Sequence, residues 1–82
     1  MEERVKNIVD ALEELVGDGS VPRNIKAKVE SIMTILKSDD GEDMNIKINK
    51  ALSELDEISD DSNLQPYTRT QIWNIVSMLE MV

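Results

Sequence analysis

The carboxylates are the residues best placed to do chemistry, and they gather in two runs, Ser38-Asp39-Asp40-Gly41-Glu42-Asp43 and Asp56-Glu57-Ile58-Ser59-Asp60-Asp61-Ser62-Asn63. Clustered hard oxygens invite calcium, but the register is wrong for an EF-hand. With Gly41 as the sixth loop residue, the first, third and twelfth ligands would be Leu36, Ser38 and Lys47. With Gly19 in that place, Glu14 suits the first position while Val16 and Ile25 fail the third and twelfth. The runs are therefore expected to be solvated helix caps. A pair of carboxylates can also hydrolyse glycosidic bonds, but only across a cleft, which a chain of 82 residues has little room to build.

Other catalytic chemistry lacks its residues. Without histidine or cysteine there is no imidazole or thiolate metal ligand, no disulfide, no cysteine nucleophile and no histidine-based triad. The expectation is a protein that is not an enzyme and carries no metal or cofactor.

Two further groups have binding chemistry. Arg23, Asn24 and Lys26, with Lys28 beyond them, open a helix where free backbone N–H groups favour an anion. This makes them a candidate phosphate, nucleotide or RNA site. The competing expectation is that they pair with acids of neighbouring helices. Near the other end, Tyr67, Arg69, Trp73, Met78 and Met81 form a candidate protein interface, for a partner or for a second copy of the chain, since Arg and Trp dominate interface hot spots. Here too a structural role competes. Trp73 and Met78 flank their helix's apolar stripe on opposite sides, so Trp73 is expected to be gripped between neighbouring helices, with Arg69 lying over the indole or reaching Asp56 or Asp60. Met81 lies nearly opposite the stripe and is harder to bury.

Four amphipathic elements must position these groups. Val5, Ile8, Val9, Leu12, Leu15 and Val16 repeat at the helical period and predict a helix over 2–16, closed by Gly17-Asp18-Gly19-Ser20, residues that tolerate a left-handed stop. Pro22 starts a second over 22–37 with the stripe Ile25, Val29, Ile32, Met33, Leu36. A third over 41–59 carries Met44, Ile48, Ala51, Leu52, Leu55 and Ile58, with Asp39 and Glu42 spaced like a capping box. A fourth over 66–82, begun by Pro66, carries Ile72, Ile75, Val76, Leu79 and Val82.

Short connections make consecutive helices antiparallel neighbours, so the expected fold is a single all-α domain, a four-helix up-and-down bundle. A faint repeat sets Ala11-Leu12-Glu13-Glu14-Leu15 against Ala51-Leu52-Ser53-Glu54-Leu55 and raises the alternative of two HEAT-like helix pairs. A solenoid needs about three units to bury its faces, and the closed bundle is preferred.

Charge is uneven: residues 1–20 sum to −4, 21–38 to +3, 39–62 to −7 and 63–82 to zero, giving −8 overall. That surplus disfavours nucleic acid as a partner. No apolar run reaches the roughly 20 residues of a membrane span. Met1 to Val9 lacks the pattern of a secretion signal, so a cytoplasmic location is expected.

At Val21-Pro22-Arg23-Asn24, Leu55-Asp56-Glu57-Ile58-Ser59 and Arg69-Thr70-Gln71-Ile72-Trp73-Asn74-Ile75 the chain resembles a family of small uncharacterised archaeal all-helical proteins, over nearly its whole length. The second helix departs from that likeness at Lys26, Lys28, Ile32 and Met33. The resemblance implies a compact four-helix protein and brings no activity, ligand or catalytic residue with it.

Overall fold

The computed structural model describes residues 2–38 and 41–82. Four helices form where the apolar stripes predict them: α1 (Glu3–Gly17), α2 (Arg23–Lys37), α3 (Met44–Ser59) and α4 (Pro66–Glu80). Each consecutive pair packs together, α1 packs on α4, and the Cα traces of the two diagonal pairs come nowhere within 8 Å of each other. This ring of contacts is a closed four-helix bundle. Two stacked HEAT-like pairs would instead bring α1 onto α3 and α2 onto α4. Arg4, in the first turn of α1, donates from Nη1 to the Met81 carbonyl just past the end of α4 at 3.1 Å, as antiparallel neighbours require.

The stripes converge on one core. Ile8, Leu12, Ile25, Val29, Ile32, Ala51, Leu55, Ile58 and Ile72 lose all their solvent exposure, and two connecting-segment residues, Val21 and Leu64, join them. Burial of these side chains is the main force that closes the ring, at about 1.5–3 kcal/mol for each large aliphatic group before chain entropy is set against it.

The helix ends depart from expectation in instructive ways. Gly17 is the last residue of α1, and neither it nor Gly19 adopts a positive φ. The helix stops through Asp18, whose N–H donates to the Leu15 carbonyl, while its carboxylate accepts from both the N–H and the hydroxyl of Ser20 at 2.9 and 2.7 Å. Pro22 sits at the N-cap of α2 rather than inside it. α3 begins three residues later than predicted because Gly41 takes φ +82°, a conformation no helix can start from, and Asp43 caps the Asn45 N–H at 2.8 Å. Asp39, the other half of the expected capping box, lies outside the described residues, and Glu42 pairs with Lys50 at 2.8 Å.

Candidate functional site

α4 carries only Arg69 and Glu80 as charges and buries Thr68, Ile72, Ile75 and Leu79. At 100° per residue, the opposite side of the helix presents Trp73, Ser77, Thr70, Met81, Asn74 and Tyr67 in that angular order, across an arc of about 120°. All six are exposed or half-buried and none is charged. Tyr67 is 68% exposed, Trp73 56% and Met81 78%. Met78 lies at the edge of this face, half-buried against the core.

The expected grip on Trp73 is not there. The α1 and α3 neighbours close over the stripe of Thr68, Ile72, Ile75 and Leu79, centred between Thr68 and Leu79. Trp73 stands about 130° from that centre on the α3 side, too far round the helix for either neighbour to cover it.

Arg69 also differs from expectation. Its Nε donates to the Ser59 carbonyl at 3.2 Å and its Nη2 to the Asp61 carbonyl at 3.1 Å. Asp56 and Asp60 stay exposed. The Ser59 carbonyl, at the end of α3, has no intrahelical donor, and a guanidinium, with several N–H groups in a plane, reaches it and the Asp61 carbonyl, which also accepts from the Leu64 N–H, at once. Arg69 is therefore a pin between α3 and α4 rather than a free interface anchor.

The basic start of α2 does not assemble into an open anion cradle. Asn24 Nδ2 reaches Asp61 Oδ2 at 3.5 Å, and Lys26 is close enough to Asp18 to act on its charge. Asp18 is held below the usual carboxylate range, chiefly by the Ser20 N–H, then by the Ser20 hydroxyl, with a smaller push from Lys26. Arg23 is exposed and makes no ion pair among the described residues. An anion arriving at this helix end would meet the carboxylates of Asp18 and Asp61.

Two residues that the sequence did not single out hold the bundle's ends. Lys47 is 6% exposed, and its ammonium donates to the carbonyl of Ser38, the residue that ends α2. A cation there also favours the negative end of the α2 dipole. The signal was available, because Lys47 keeps phase with Ala51 and Ile58 on the buried side of α3. Arg4 does the equivalent for α4, donating from Nε to Glu2 at 2.7 Å as well as from Nη1 to Met81. That hydrogen bond pulls Glu2 below its usual range.

Clefts are modest. Two lie along the α1–α4 seam, one of about 180 Å³ lined by Arg4, Asn7, Met78 and Met81, the other of about 170 Å³ between Ala11, Glu14, Gln71 and Asn74. Both fall below the roughly 300 Å³ at which small-molecule pockets begin. An open depression of about 450 Å³ between α2 and α3 is lined by Ile35, Ile46 and Glu54 among others. None of the three presents more than one carboxylate. Among the described residues no group of three or more acids is placed to hold a metal ion, and no helix is long and apolar enough to cross a membrane.

Comparison with known proteins places the chain among relatives of unknown role. The family model described as an uncharacterised protein family, UPF0147, matches residues 1–82. A UPF0147 protein of Methanocaldococcus jannaschii is 45% identical over 82 residues, covering 99% of this chain and 86% of the relative. One from Sulfurisphaera tokodaii is 38% identical over 81 residues, covering 99% and 90%. The crystal structure of a protein of unknown function, MMP1188, superposes with a TM-score of 0.90 at 41% identity, covering 98% of this chain and 90% of that one.

Proposed function

Since the chain belongs to the UPF0147 family, whose description carries no activity, we propose from its own surface that it is a non-enzymatic interaction module that docks a protein through the outward face of α4. The observation that carries this reading is a single face, uncharged from Trp73 round to Tyr67 and bordered by Glu80, that holds exposed Tyr67, Trp73 and Met81 on a chain of net charge −8. A soluble helix ordinarily turns charge outward. Aromatic and methionine side chains enrich interface cores, whereas charge is depleted there. The clefts support a non-catalytic role, because a carboxylate-pair hydrolase needs two acids converging on one cleft. The rival anion or nucleotide role at Arg23, Asn24 and Lys26 is the weaker reading, since two of those side chains already face carboxylates.

The test is affinity capture from cell extract with four baits: the native chain, Trp73→Glu, Met81→Glu and, as a control on another exposed apolar residue, Ile46→Glu. Proteins retained by the native chain and Ile46→Glu and lost from both α4 variants support the reading. Identical captures by all four baits overturn it.

A further inference from the structure

Among the described residues, the side-chain charges left free around the outward face of α4 are of one sign. Glu14 lines the α1–α4 cleft beside Gln71 and Asn74. Asp60 is exposed between Ser59 and Asp61, the two residues whose carbonyls hold Arg69, at the end of α3 beside the turn of α4 that precedes Trp73. Glu80 is on α4 itself, seven residues beyond Trp73 and therefore on the same side. All three are exposed, and none enters an ion pair among the described residues.

The cations at the same margins are occupied. Arg4 is bonded to Glu2 and the Met81 carbonyl, and Arg69 to two carbonyls. The basic helix α2 lies diagonally across the bundle from α4, and the two Cα traces come nowhere within 8 Å. An incoming surface therefore meets an apolar strip bordered by unpaired carboxylates.

We propose that the α4 face takes a cationic amphipathic segment of a partner protein, with its apolar side chains over Trp73 and Met81 and its lysines or arginines against Glu14, Asp60 and Glu80. This rests on reading the face as a docking surface. A second copy of the chain is the poorer occupant, because pairing two such faces sets acidic margin against acidic margin between molecules of −8 each.

Trp73 is the chain's one tryptophan and so reports from within the site. The probe is a synthetic amphipathic peptide of leucine and lysine, with a twin in which every lysine is glutamate, titrated against the intact chain while indole emission is followed. The expected result is a saturable blue shift with the lysine peptide, none with the twin, and weakening as salt rises. Glu14→Gln/Asp60→Asn/Glu80→Gln should lower affinity about tenfold, the scale on which three exposed ion pairs act together. Asp10→Asn/Glu30→Gln/Glu57→Gln removes the same charge from exposed positions elsewhere and should change affinity less than about threefold, which separates the margin from overall charge. Circular dichroism confirms that each variant folds.

Equal losses in the two triple variants overturn the proposal. Equal binding of both peptides, abolished by Met81→Glu, overturns the cationic partner while leaving the docking face standing. Absence of any Trp73 response to either peptide overturns the proposal as well, and concentration-dependent dimerisation lost in Met81→Glu replaces it with self-pairing.

Discussion

Trp73 and Arg69 lie four residues apart on α4 and do different work. The indole is more than half exposed and contributes little to the fold, so Trp73→Ala should shift unfolding free energy by about 0.5 kcal/mol or less, and native emission should resemble that of a solvated indole. A blue-shifted native spectrum, or a cost near the 3–5 kcal/mol of a buried aromatic, would show that neighbouring helices cover it after all. Arg69 is the structural member of the pair. Arg69→Ala removes two charge-assisted bonds, leaving the Ser59 carbonyl dependent on water and the Asp61 carbonyl with the Leu64 N–H alone, an expected loss of about 1.5–3 kcal/mol in chemical denaturation. Lysine should restore only part of it, because an ammonium lacks the planar fork that reaches both carbonyls. Asp18 offers a pH signature. Its folded pKa is lowered by Ser20, so the contribution to stability is present above the unfolded carboxylate range and disappears as pH falls through the folded value. A carboxylate NMR titration should find Asp18 titrating below the usual aspartate range, and Ser20→Ala should return it toward that range. Residue type alone marked Trp73 and Arg69 as worth attention. Their roles were hidden, since they depend on how far α1 and α3 wrap round α4 and on where the carbonyls of another helix end.

Helices were the most legible level. An aliphatic residue every three or four positions forces one buried side, and nearly every stripe residue is buried or packed on the core: Val5 through Leu15 in α1, Ile25 through Leu36 in α2, Ile48 through Ile58 in α3. What the stripes missed has a common cause. Lys47 and Thr68 are polar by type but lie in phase with the buried side, and Val21 and Leu64 are apolar residues in connections, where no period exists to reveal them. Ends were harder, because glycine signals a stop without saying how it stops. Gly17 is helical and a β-carbon added there would meet nothing within 4 Å, so Gly17→Ala should stabilise the chain by about 0.4–1 kcal/mol through lower entropy of the unfolded state. Gly41 has equal space but φ +82°, and the same change there should cost about 1–2 kcal/mol. Opposite signs from two glycines with equally open surroundings would establish that backbone conformation, not packing, sets the outcome; a gain at both would refute the left-handed turn before α3.

At the scale of the molecule, closure of the ring through α1 and α4 makes the outward face of α4 a surface rather than a second seam. The expected grip on Trp73 fails for this reason: with each helix held by two neighbours and none by three, the fourth keeps one side free. The same geometry spreads charge over the exterior, where pairing gains little. The ion pairs Arg4–Glu2, Lys37–Glu13 and Lys50–Glu42 all involve solvent-exposed cations, and such pairs are worth about 0–1 kcal/mol apiece. Against them stand 17 acids and 9 bases, a surplus whose mutual repulsion opposes compaction. If repulsion outweighs the exposed pairs, salt screens more destabilising than stabilising interactions, and the thermal midpoint should rise as sodium chloride increases from about 0.01 M to 0.15 M, where the Debye length falls from about 30 to 8 Å. The sign of the shift decides the matter. A midpoint that falls over that range would mean the surface pairs dominate, and that the acids round α4 are bound within the molecule rather than available to a cationic partner.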